Sequence, residues 1–206
     1  MSRLPLWMPV LLLAGCATLT PEQCRNADWR QIGFADGAGG YNAMRINDHA
    51  KACAEVGVRP NLDDYVDGRE QGLRNYCRAE NGFAIGRRGA SANVADCPEN
   101  MKLAFAEQYR YGQQIHLMEE DLAQRRSRIY QNNSRIRRNN ERIAAIREEL
   151  AKKELPDDRR TTLLNEYDRL VEQKNVIGRE NAYLASESDR LQFHLQLKLR
   201  EFGLWR

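Results

Sequence analysis

The sequence predicts an all-α protein, a small disulfide-clamped helical domain followed by a long antiparallel coiled-coil helical hairpin. Two observations carry that prediction. From Ile115 an apolar residue recurs at every seventh position, through Leu122, Ile129, Ile136, Ile143 and Leu150, and the repeat resumes as Leu163, Leu170, Ile177, Leu184 and Leu191. A heptad sustained this long marks helices that share a seam. Ahead of it, Cys24, Cys53, Cys77 and Cys97 stand among glycine-rich segments, the composition of a small domain stapled by disulfides.

At the N-terminus, Arg3 precedes an apolar stretch from Leu4 to Leu13 that is interrupted by Pro5 and Pro9, the layout of a signal peptide. A membrane-spanning helix needs about 20 apolar residues, so this stretch is too short to span. Leu13-Ala14-Gly15-Cys16 resembles the lipobox of bacterial lipoproteins. That resemblance implies removal of residues 1–15 and lipid on the thiol of Cys16, the new N-terminus. The alternative is an ordinary secretory signal with an incidental cysteine. In that family an Asp after the cysteine retains the protein at the inner membrane; Ala17 here implies sorting to the outer membrane, facing the periplasm. Residues 16–21 then form a lipidated tether, which at about 3.5 Å per residue keeps the next domain within ~20 Å of the bilayer.

Charged residues make up 30% of the chain, which argues against one large core, and a net charge of +3 is too small to indicate a nucleic-acid partner. With Cys16 set aside, four cysteines remain, an even number that reads as two disulfides in an oxidising compartment. A metal site built on His49 and Cys53 is the rival reading, but no Cys-x2-Cys pair of the kind structural zinc prefers is present. No metal and no cofactor are expected.

The domain at 22–112 begins with Thr20-Pro21-Glu22, a cap followed by proline at the first helical position, and its first helix is expected to reach about Asp36. Gly37, Gly39 and Gly40 then turn the chain into a second helix from about Tyr41 to Val56, ended by Gly57. Antiparallel packing of the two places Cys24 beside Cys53. A third helix follows Asn61 and ends near Cys77, and a glycine-rich loop is expected from there to Cys97, closed by a Cys77 to Cys97 bridge. Four cysteines allow three pairings, of which this is the one adopted.

Gly33-Phe34-Ala35-Asp36-Gly37-Ala38-Gly39-Gly40 and Gly82-Phe83-Ala84-Ile85-Gly86-Arg87-Arg88-Gly89 share the pattern Gly-Phe-Ala-x-Gly-x2-Gly, a short internal echo. Neither follows a strand or carries the Lys-Ser of a phosphate-binding loop. Glycines four apart, as at Gly33/Gly37 and Gly68/Gly72, are better read as close helix contacts. Trp29, Tyr65 and Tyr76 either stack on a small ligand or glycan or pack within the domain.

Cys24, Trp29-x3-Gly33-x2-Asp36-Gly37-x2-Gly40, His49-x3-Cys53, Tyr65-x2-Gly68-x3-Gly72-Leu73-x2-Tyr76-Cys77, Gly82-x3-Gly86-x2-Gly89, Cys97 and Tyr109-x2-Gly112 together resemble a family of Gram-negative envelope lipoproteins known only as a domain of unknown function. The resemblance spans roughly residues 24–112. It departs where Asn93 and Val94 stand in place of an aromatic expected before the last cysteine. It implies an envelope location and no activity.

In the hairpin at 113–206, Leu155-Pro156-Asp157-Asp158 breaks the first helix and caps the second. If the chain reverses there, facing residues have numbers adding to 313, which sets Leu150 on Leu163, Ile143 on Leu170, Ile136 on Ile177 and Leu122 on Leu191. Polar seam residues also meet, Asn139 with Lys174, Asn132 with Asn181 and Arg125 with Ser188; only Ile115 with Lys198 matches poorly. Such layers hold register. Arms of about 40 residues give a rod of ~60 Å.

Arg125, Arg126, Arg128, Arg135, Arg137, Arg138 and Arg142 form a basic run that offers a face to a polyanion or an acidic partner, or is a solvated face neutralised by acids of the other arm. His116 and His194 lack a nucleophile and orienting acid, so no catalytic residue is expected. Phe202-Gly203-Leu204-Trp205 is expected to pack on Tyr109 and Tyr111. The whole describes a non-enzymatic envelope adaptor with a membrane anchor and an envelope-protein or cell-wall partner, with homo-oligomers allowed. The rival is a ligand- or glycan-binding module on the glycine-rich domain.

Overall fold

The computed structural model describes residues 19–201, and every regular element among them is α-helical. The stretch expected to be a signal peptide, Cys16 and the terminal Phe202 to Trp205 lie outside the described residues. The chain divides into two units at Gly112, Met1–Gly112 and Gln113–Arg206. The architecture is a disulfide-containing helical bundle followed by two long helices packed as a hairpin.

In the first unit, α1 (Pro21–Arg25) and α2 (Trp29–Ala38) replace the single helix expected from Pro21 to Asp36. Thr20 and Gln23 close a capping box at the start of α1, and Asp28 starts α2 anew by accepting the Gln31 N–H at 3.0 Å. The break falls there because Asp28 satisfies a helix-end donor that a continuous helix would not have exposed. α3 (Arg45–Ala54) also starts later than expected, since the Asn42 side chain accepts the Met44 N–H and holds a turn ahead of it. Asn61 caps α4 (Leu62–Tyr76).

The loop expected between Cys77 and Cys97 is instead largely a helix, α5 (Ala79–Arg87), with irregular chain only after it. Its glycines mislead because helical glycine costs about 1 kcal/mol in isolation; here closeness to another backbone offsets that cost. A Cβ on Gly82 would come within 2.5 Å of the Phe105 carbonyl oxygen on α6 (Glu99–Leu150).

The same contact occurs between α2 and α4. A Cβ on Gly33 would overlap the Tyr65 carbonyl, one on Gly37 the Arg69 carbonyl, one on Gly68 the Arg30 carbonyl and one on Gly72 the Phe34 carbonyl. Gly112 would likewise strike the Phe83 carbonyl and, at 2.7 Å, the Arg87 nitrogen, just as Gly72 meets Phe34 and, at 2.6 Å, the Ala38 nitrogen. Gly33, Phe34 and Ala38 of one crossing therefore correspond to Gly82, Phe83 and Arg87 of the other, and Tyr65 and Gly72 to Phe105 and Gly112. Both echoes end in a left-handed glycine, Gly40 at φ 72° and Gly89 at φ 71°. Two of the glycine contacts of the first crossing thus recur in the second, and the short sequence echo marks them; the position that matches Gly68 holds Gln108.

Each copy is bridged across its first helix by a disulfide, Cys24 to Cys53 in the first and Cys77 to Cys97 in the second. The apolar core lies in two parts, Trp29 and Tyr65 around the first bridge and Leu73, Tyr76, Ile85 and Phe105 around the second.

In the second unit, α6 and α7 (Asp157–Glu201) are joined by residues 151–156. Ile115, Leu122, Ile143, Ile146, Leu163, Leu170, Ile177 and Leu195, all seam positions, are buried. At the closed end Ile143, Ile146, Leu163 and Leu170 cluster with Leu150 and Tyr167. One polar layer forms as facing residues dictate: Asn132, fully buried, donates to Asn181 Oδ1 at 2.9 Å, and Asn181 donates to Asn133 at 2.9 Å. The other two layers differ from the expectation. Asn139 bonds Gln173 and not Lys174, and Arg125 turns back to Asp121 on its own helix while the Ser188 hydroxyl donates to the Leu184 carbonyl. A buried amide pair satisfies both partners across the seam; an arginine finds a better acceptor one turn away than a serine can provide.

Candidate functional site

The first unit carries a buried polar cluster centred on Asp36. Asp36 is on α2, His49 and Arg45 on α3, and Tyr65 on α4. Asp36 Oδ2 accepts from the Tyr65 hydroxyl at 2.7 Å and lies 2.7 Å from His49 Nε2, while Arg45 Nε approaches Oδ1 at 3.5 Å. Asp36, His49 and Tyr65 are 6%, 2% and 1% exposed. Burial, then the hydrogen bond and charge of Asp36, push the Tyr65 hydroxyl pKa far up, so it is a fixed donor and not a titrating group. Arg45 also lies over the Tyr41 ring at 4.0 Å.

A second cluster adjoins it in sequence. Arg69 donates to the Tyr41 carbonyl at 2.7 Å and to Asp96 at 2.5 Å; Asn93 donates to Asp96 and to the Gly40 carbonyl, and its own N–H is accepted by the Tyr76 hydroxyl. Burial raises the Asp96 carboxyl, but the bonds from Asn93 and Arg69 outweigh it and hold Asp96 below the usual carboxylate range. These contacts sew the loop after α5 onto the turn after α2. Asn93, which departs from the aromatic expected there, is the residue that does the sewing.

The two crossings make the first cluster informative. By the correspondence of backbone contacts, the place of Asp36 is taken by Ile85 in the second crossing and that of Tyr65 by Phe105, both buried. The fold accepts an apolar pair at these positions, so the charged group in the first crossing is a specialisation. Sequence reasoning missed Asp36, Arg45, Arg69 and Asp96 as a group. The one available signal was the position at which the two echoes differ, Asp36 against Ile85.

The aromatic residues considered for stacking are packing residues. Trp29 lies against the Cys24 to Cys53 bridge, Tyr65 is committed to Asp36, and Tyr76 packs on Phe105 with ring centroids 5.2 Å apart. All three are buried, so no ring face is open to a glycan. A groove of about 540 Å³ runs along residues 19–32 and presents Thr20, Gln23, Asp28 and Gln31.

On the hairpin the arginine run is partly consumed by acids. Arg128 meets Glu180 at 2.9 Å, Arg142 meets Glu166 at 2.7 Å, and Arg125 takes Asp121. Arg126 donates to Gln192 and Arg137 to Ser134, while Arg138 makes no ion pair or hydrogen bond among the described residues. Three of the seven are thus paired with acids. Glu149, Glu166 and Glu180 are held below the ordinary glutamate value of 4.5 by hydrogen bonds from Arg159, Arg142 and Arg128. A carboxylate whose pKa falls on folding contributes stability above its unfolded value and loses it as the pH drops through the folded one. The melting midpoint of the helical signal is expected to fall once the pH passes below 4.5, and by less in high salt, where exposed pairs contribute little at any pH.

Among the described residues no group of three metal-binding side chains forms, and no helix is long and apolar enough to cross a membrane. Residues 28–114 match the family described as Protein of unknown function (DUF2799). The DUF2799 span contains both glycine crossings, both polar clusters and three of the four disulfide cysteines, and it ends where the hairpin begins. No curated protein and no solved structure matches the chain.

Proposed function

We propose that this chain is a non-enzymatic structural or adaptor protein of the Gram-negative envelope, held at the outer membrane by lipid on Cys16 and engaging an envelope-protein or cell-wall partner through its hairpin. The observation that carries this reading is the hairpin itself. Its seam is filled by its own side chains, and what it offers outward is surface: exposed Tyr130, Tyr183 and Val176, and open grooves of about 330 and 270 Å³. A long helical pair of this kind suits docking to a partner through its outward faces. The anchor rests on the lipobox resemblance of Leu13 to Cys16.

Two variants test the two parts separately. Deleting Gln124 to Arg190 shortens both arms and is expected to abolish the proteins crosslinked to the chain in cells. An unchanged set of crosslinked partners rejects the adaptor role. Replacing Cys16 with alanine is expected to move the chain from the membrane fraction to the soluble one and to remove labelling by a fatty-acid analogue; a variant that stays in the membrane rejects the anchor.

A further inference from the structure

The flanks of the hairpin are unlike. One is closed by ion pairs across the helices, Arg128 with Glu180, Arg142 with Glu166 and Arg159 with Glu149. Between Arg126 and Asp189 the opposite flank has no ion pair across the helices among the described residues, and Asp168 and Asp189 have no cationic partner there. In its middle stands Gly178. Unlike Gly33, Gly68, Gly72, Gly82 and Gly112, whose missing Cβ atoms admit another helix backbone, Gly178 would place a Cβ in open space. It has no left-handed backbone to justify it either. A helix-interior glycine that serves neither turn nor contact is a standing cost to α7.

We infer that this flank is the interface of a homodimer, two hairpins face to face about a twofold axis parallel to their length. In the heptad, the two rows that follow the seam round this flank include Arg126, Tyr130, Arg137 and Arg147 on α6, and Asp168, Gly178, Ala185 and Asp189 on α7, all exposed. The twofold lays α6 of one copy along α7 of the other at unchanged height, so residues that face across the seam within one chain lie level across the dimer. Arg126, which within its own chain donates to the neutral Gln192, then comes level with Asp189 of the second copy to within about 3 Å along the axis, and Arg147, which within its own chain donates to the Tyr167 hydroxyl, comes level with Asp168. In between, the large residues of α6 meet the small ones of α7, Tyr130 over Ala185 and Arg137 over Gly178. Both charge and size are thus complementary between α6 and α7 of the two copies. From Arg126 to Arg147 the contact runs about 30 Å and is about 20 Å wide, roughly 1,200 Å² over both copies, the lower range of specific interfaces. The inference goes beyond the envelope reading and does not depend on the lipid anchor.

Sedimentation equilibrium of the full chain is expected to show a reversible dimer. Gly178→Leu separates the dimer from the helix: it is expected to raise the melting midpoint by a few degrees, because glycine is gone from α7, and to weaken association by roughly tenfold or more. Arg126→Asp and Asp189→Arg are each expected to weaken association, and the two together in one chain to restore it, since each copy then meets its reversed partner. A chain that is monomeric at every concentration, or a dimer indifferent to Gly178→Leu and to the charge reversals, overturns the inference and leaves the flank to a different protein.

Discussion

Replacing Gly68 with leucine is expected to abolish folding of the first unit. A Cβ at that position alone would overlap the Arg30 carbonyl, and the atoms it meets are helix backbone, which has no rotamer with which to yield. To admit the side chain, α2 and α4 must separate. That separation breaks the reciprocal contacts of Gly33, Gly37 and Gly72 and uncovers Tyr65 and Leu73. Overpacking of a core usually costs about 1–3 kcal/mol. Forcing apart a backbone contact that repeats along two turns costs more, on the scale of the ~5–15 kcal/mol that holds a whole domain. The expected result is loss of the cooperative thermal transition of residues 19–112 and rapid proteolysis of that part, with the α-helical signal of the hairpin retained. By contrast Gly57, whose Cβ would meet nothing within 4 Å, fails only through its φ of 72°, and Gly57→Ala is expected to cost about 1 kcal/mol. If Gly68→Leu melts like the parent chain, the close crossing is not what holds this unit together.

The hairpin was legible because each of its seam residues states its own place: a seven-residue period with a proline stop needs no knowledge of the rest of the chain. The layers at Asn139 and Arg125 were less so, since the period says which residues face and not which acceptor a long side chain prefers. In the first unit, glycine was ambiguous. Gly40, Gly57 and Gly89 turn the chain, whereas Gly82 and Gly86 lie within α5, and nothing in either residue type tells the two uses apart before a partner helix is known. The break between α1 and α2 depends on one aspartate side chain, Asp28, accepting one N–H. The polar cluster was the least legible of all, because Asp36, Arg45, His49 and Tyr65 come from three helices and carry no spacing rule that joins them.

Asp36→Ala is expected to destabilise the first unit by about 3–5 kcal/mol, because it removes one partner of a buried charged network and strands the others. The Tyr65 hydroxyl loses its acceptor, and His49 Nε2 and Arg45 lose the carboxylate that brings α3 onto α2. The Cys24 to Cys53 bridge keeps α3 attached but cannot satisfy those groups. The second crossing shows how the loss can be repaired. Copying its residues as Asp36→Ile with Tyr65→Phe, and replacing His49 with leucine, removes the stranded polar groups while Arg45, already partly exposed, turns to solvent. A buried ionic group exchanged for apolar residues of similar volume is often neutral or stabilising. The triple variant is therefore expected to recover most of the midpoint lost by Asp36→Ala in chemical denaturation. A single variant within about 1 kcal/mol of the parent chain would show that the network carries no such weight. Recovery of stability also makes the functional question answerable. In a triple variant as stable as the parent chain, any partner or envelope phenotype that disappears belongs to the polar cluster itself, since the crossing that surrounds it is intact.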